Sequence, residues 1–63
     1  METLVFKTKS GVELFINLEK FTYRTPNKFE VIKSLKEDIN DPVCGDQAKA
    51  LLNIINAMNK QLN

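Results

Sequence analysis

An α+β fold is what this sequence predicts: a β-hairpin followed by two amphipathic helices packed on one face of the antiparallel sheet. Three patterns carry that reading. Apolar residues alternate with polar ones from Leu4 to Leu18, at the period of a strand. They recur every three or four positions between Phe29 and Ile39, at the period of a helix. They do so again, more strongly, between Ala48 and Leu62.

The hairpin spans residues 2–18. Residues 3–8, TLVFKT, are rich in β-formers. Leu4 and Phe6 point one way, and Thr3, Val5 and Lys7 the other. Ser10-Gly11 suits a tight turn, because glycine tolerates positive φ. Lys9-Ser10-Gly11 as a three-residue loop with a bulge suits it equally. Val12, Leu14, Ile16 and Leu18 then form a core-facing row. Val5 and Phe15 are apolar on the outer face and are candidates for a cross-strand pair. In residues 19–25, Phe21 and Tyr23 alternate with Lys20, Thr22 and Arg24. A short third strand fits, although the spacing from Leu18 to Phe21 also suits a helical turn.

The first helix has a good start signal. Asn27 can cap it with Glu30 three residues on, and Thr25 followed by Pro26 is the competing cap. Phe29, Ile32, Leu35 and Ile39 line the expected buried face, with Val31 at its edge. Glu30, Lys33 and Glu37 line the opposite face at ion-pair spacing. Asn40-Asp41-Pro42 ends the helix. The second helix starts either at Asp41, with Pro42 in its first position and Gly45 costing up to ~1 kcal/mol inside it, or at Asp46. Its stripe is Ala48, Leu51, Ile55, Met58 and Leu62, a short heptad seam. Ala50, Ile54 and Ala57 widen the apolar arc, and Lys49, Asn53, Asn56 and Lys60 leave only a narrow polar sector. That arc exceeds the roughly 100° that a surface helix needs.

With 63 residues, the chain reads as one domain. It buries only about 60% of its surface on folding, so self-association is a natural source of extra stability. Cys44 is the single cysteine and there is no histidine, so neither a disulfide framework nor a metal cluster is expected. A lone thiol suits a reducing, cytoplasmic setting. No stretch approaches the ~18 apolar residues of a membrane span, and no secretory leader is evident.

An enzyme needs a positioned acid, base, nucleophile or metal. Cys44 near a helix N-terminus is the one candidate nucleophile, and on an apolar helical face it reads more simply as a small hydrophobe. The two glycines are far apart and form no phosphate loop. No catalytic residue and no cofactor is expected.

The leading expectation is a small non-enzymatic interaction or regulatory protein. It would form a homodimer or bind a protein partner through Leu51, Ile54, Ile55, Met58 and Leu62. The alternative is DNA or RNA binding. The net charge of +1 points to no polyanion, but residues 20–36 hold Lys20, Arg24, Lys28, Lys33 and Lys36 against Glu30 alone. Within them, Lys20, Tyr23 and Arg24 interleave charge with aromatic surface. The plainer reading makes Phe21 and Tyr23 core or rim aromatics.

Overall fold

The structure, a computed structural model, describes residues 3–61. The sheet has three antiparallel strands, β1 (Thr3–Lys7), β2 (Glu13–Asn17) and β3 (Thr22–Arg24), in the order β1-β2-β3. Two helices follow, α1 (Lys28–Asp38) and α2 (Gly45–Gln61). The α+β architecture and the short third strand are therefore both present.

The strands pair as their alternation requires. Leu4 lies opposite Ile16, Val5 opposite Phe15 and Phe6 opposite Leu14. Leu14 and Ile16 are fully buried beneath the helices, together with Val31, Leu35, Ala48, Leu51, Ile55 and Met58. The first turn is the three-residue loop with a bulge. The Gly11 N–H donates to the Thr8 carbonyl at 2.9 Å, the Thr8 N–H donates to the Val12 carbonyl at 2.9 Å, and Gly11 sits at φ 95°. Only glycine takes that angle without strain.

Leu18 departs from the expected core row. It is 53% exposed, because β2 ends at Asn17 and the chain turns away. The Asn17 Oδ1 accepts the Lys20 N–H at 2.9 Å, and the turn closes on Phe21 at φ 54°. This backbone angle is uncommon outside glycine and costs of order 1–3 kcal/mol. Phe21 packs its ring against the core, which offsets part of that strain.

Helix α1 starts at the Asn27 cap, whose Oδ1 accepts the Glu30 N–H at 3.1 Å. Thr25 does not cap; its hydroxyl donates to the Glu13 carbonyl at 2.7 Å. The buried face is rotated from the expected one. Val31, Ser34, Leu35 and Asp38 are buried, while Ile32 and Ile39 are only half-buried and Phe29 is 73% exposed. The stripe has helical spacing, but half of it is polar. Those polar groups are satisfied from the β1–β2 loop. Ser34 Oγ shares a 2.7 Å hydrogen bond with Ser10 Oγ, and Asp38 accepts the Lys9 N–H at 2.9 Å.

Asp41 caps the turn that leads into α2, accepting the N–H groups of Val43 at 2.7 Å and Cys44 at 3.2 Å. Pro42 follows it in the position where a missing N–H costs nothing. Gly45 is required by close approach: a Cβ there would lie 2.5 Å from the Ile39 carbonyl oxygen. The glycine allows the start of α2 to press on the end of α1. Helix α2 then buries Ala48, Leu51, Ile55 and Met58, the predicted stripe.

Candidate interaction surface

Burial of that stripe corrects the proposed docking residues. Leu51, Ile55 and Met58 lie in the chain's own core, and a folded protein cannot offer them to a partner. Ile54 is half-buried and packs against the same core. Leu62 lies outside the described residues. Ala50 and Ala57 are exposed, but they are too small to anchor an interface. Only the central stripe of the apolar arc is buried, against α1 and the sheet.

The basic block is divided by the fold. Tyr23 lies opposite Ile16 on the helix side of the sheet. Its hydroxyl donates to Asn59 Oδ1 at 2.9 Å, and the Lys28 ammonium stands 5.5 Å from its ring centre. Its body therefore fills the space between β3 and α2, so it is no open stacking platform. Arg24, one residue on, points to the outer face, where its guanidinium lies 5.0 Å from the centre of the Phe15 ring. Lys33 and Lys36 are exposed on α1, in the helix layer. Lys20 lies in the β2–β3 turn, beside a shallow concavity of about 400 Å³ that Phe15, Asn17 and Arg24 also line.

The outer face itself is built by strand alternation. It carries Thr3, Val5 and Lys7 from β1, Glu13, Phe15 and Asn17 from β2, and Thr22 and Arg24 from β3. Val5 is 60% exposed beside Phe15. Both helices lie on the other face, so among the described residues no second layer covers this one. Phe15 is the aromatic that sequence reasoning left out of the basic group. The signal was present in the alternation, which puts Phe15 and Arg24 on one face and Tyr23 on the other.

A second concavity, also about 400 Å³, lies between the β1–β2 loop and the start of α2. Leu35, Ala48 and Leu51 form its floor, and Lys9, Asp41, Val43 and Cys44 its rim. The Lys9 ammonium pairs with the Asp41 carboxylate. That hydrogen bond, with those from the Val43 and Cys44 N–H groups, holds the Asp41 carboxyl well below the usual carboxylate range. Burial pushes the Cys44 thiol up, and the charges of Asp41 and Asp38 push the same way. A thiol near a helix N-terminus is usually activated; here its surroundings disfavour the thiolate. Among the described residues, no cluster of three His, Cys, Asp or Glu side chains is placed to hold a metal ion. Among the described residues no helix is long and apolar enough to cross a membrane. No family model, curated protein or solved structure matches the chain.

Proposed function

We propose that this chain is a small non-enzymatic interaction protein that docks through the outer face of its sheet. The observation that carries the reading is the Val5–Phe15 pair, two apolar side chains adjacent across strands on the face the helices leave uncovered. Isolated exposed apolar residues are ordinary. A paired set on one sheet face, rimmed by Lys7, Glu13, Lys20 and Arg24, has the layout of an interface with an apolar centre and a charged rim. The single cysteine supports a reducing, cytoplasmic setting for this docking.

A second reading rests on Arg24 over Phe15. An arginine plane on an aromatic ring, with Lys7 and Lys20 nearby, offers stacking and phosphate neutralisation to a single-stranded nucleic acid. The cations number few and Glu13 opposes them, which favours a protein partner.

Photo-crosslinking in cells tests both. A photoreactive phenylalanine analogue replaces Phe15, and a control carries it at Lys49, exposed on α2. The docking reading expects a discrete protein adduct from position 15 and none from position 49. A nuclease-sensitive adduct from position 15 moves the function to nucleic-acid binding. No adduct from position 15, or equal adducts from both positions, refutes the outer face as the working surface.

A further inference from the structure

We infer that β1 is a pairing edge for a second copy of this chain, with the two β1 strands antiparallel about a two-fold axis through Val5. The direction of the β1 backbone follows from the turn. Thr8 and Val12 are hydrogen-bonded across the bulge, and pairs in an antiparallel ladder alternate between bonded and non-bonded. Lys7–Glu13, Val5–Phe15 and Thr3–Asn17 are therefore the non-bonded pairs, and Leu4–Ile16 and Phe6–Leu14 the bonded ones. An independent contact fixes the same parity, since the Glu13 carbonyl points away from β1 and accepts the Thr25 hydroxyl. The N–H and C=O groups of Thr3, Val5 and Lys7 thus point out along the edge of the sheet, where no other strand lies among the described residues.

Natural edges are usually blunted by shortness, proline, bulges or charge. Strand β3 meets that description: it has three residues, follows a turn closed by Phe21 and precedes Pro26. Strand β1 has five residues, no proline and no bulge within it, and one lysine. Four of its five residues are exposed, Leu4 and Val5 among them.

The sequence of β1 is complementary to itself. Centring the pair on Val5 sets Thr3 opposite Lys7 of the second copy and uses every outward N–H and C=O of both strands. The register shifted onto Lys7 leaves groups unused and sets lysine against lysine. In the centred register, Val5 meets Val5 on the outer face. Leu4, 39% exposed, meets Phe6 of the second copy on the helix face. The lysines lie at opposite ends, each beside a threonine. A joint of two five-residue strands falls below the ~1,200 Å² of a standard interface, so the dimer is reversible and concentration-dependent. The edge is a different surface from the outer face, and neither proposal requires the other.

Amide hydrogen exchange over a concentration series, followed residue by residue beside sedimentation equilibrium, tests the pairing. The Leu4 and Phe6 amides are protected at every concentration if the monomer is folded. The Val5 and Lys7 amides gain protection only as the mass doubles. Thr3→Lys places like charges opposite each other at both ends of the joint and weakens dimerisation about tenfold. Adding Lys7→Glu restores it, and Thr3→Glu alone strengthens it. Within one strand these side chains are too far apart to meet, so such rescue acts between chains. The inference is overturned if Val5 and Lys7 exchange freely at every concentration, or if self-association ignores the charge swap. Should Thr3→Lys lose Leu4 and Phe6 protection, Thr3→Glu decides alone, and a failure to strengthen association overturns the pairing. A monomer that still crosslinks a foreign protein from position 15 sinks the edge proposal and leaves the docking reading standing; a charge-sensitive dimer with no foreign adduct does the reverse.

Discussion

At the β1–β2 loop, Lys9 and Ser10 reach across to Asp38, Asp41 and Ser34, and the loop is fastened to the helix connector by hydrogen bonds and an ion pair. On the outer face of the same sheet, Val5 and Phe15 stand beside each other with Arg24 over the ring. The two regions share a scaffold but use their side chains oppositely. The loop end satisfies polar groups inside the monomer, several of them buried, where an unmet partner costs about 1–3 kcal/mol each. The outer face contributes little to the monomer's core and keeps apolar surface available. The lesson is that the polar residues of this chain hold the fold together at one end, while some of its apolar residues do other work.

Three substitutions sharpen that contrast. The largest effect belongs to Gly45→Ala at the fastened end. Alanine gains up to ~1 kcal/mol of helix propensity, but its Cβ meets the Ile39 carbonyl oxygen, a backbone atom that cannot step aside. Overpacking of this kind costs roughly 1–3 kcal/mol. In a domain of this size, a net loss of about 1 kcal/mol lowers Tm by ~4–8 °C. A melt unchanged or raised in Gly45→Ala would show that the two helix ends are not locked together.

The next effect is on acid stability. Asp41 titrates lower in the folded protein than in the unfolded chain, where aspartate sits near ~3.9. Its stabilisation is complete above that value and is lost as pH falls through the folded pKa. Asp41→Asn retains an acceptor for the Val43 and Cys44 amides but loses the charge facing Lys9. Urea unfolding at a series of pH values should show a shallower decline of stability below about pH 4 than in the parent protein. An unchanged slope would remove the Lys9–Asp41 pair from the fastening.

The smallest effect is expected on the outer face. Val5→Thr keeps a β-branched strand residue and trades one exposed methyl for a hydroxyl. Monomer stability should stay within about 0.5 kcal/mol, measured by urea unfolding at concentrations too low for association. A larger loss would mean that the outer face belongs to the core's energetics after all.

How much of this was legible in the sequence depended on whether hydrophobicity carried the information. The hairpin, the register of Val5 on Phe15 and the Ala48-Leu51-Ile55-Met58 stripe were all visible as periodicity. The buried face of α1 was misplaced because two of its four members, Ser34 and Asp38, are polar and are matched by a loop distant in sequence. Leu18 was misplaced because its turn closes on a phenylalanine at positive φ, where glycine or asparagine would have announced it. Leu51, Ile55 and Met58 were misassigned to an interface for a simpler reason. A wide apolar arc says how much surface must be covered and is silent on whether the same chain covers it. The sequence reading placed Arg24 and Tyr23 in one group; strand alternation puts them on opposite faces of the sheet.

The order of elements has a consequence for how the chain comes into being. Among the described residues every strand pairs with its neighbour in sequence, so the sheet can form by local steps, which favours rapid folding. Yet Leu14 and Ile16 share their core with Ala48, Leu51, Ile55 and Met58, all on the last helix. During synthesis the strands emerge first and wait for the helix that closes over them. A small sheet without that layer is marginal in water, so for this interval the nascent chain shows both its edge and its future core. Ribosome-bound chains stopped before Ala48 should therefore be readily cleaved by protease, and those carrying α2 clear of the exit tunnel should resist.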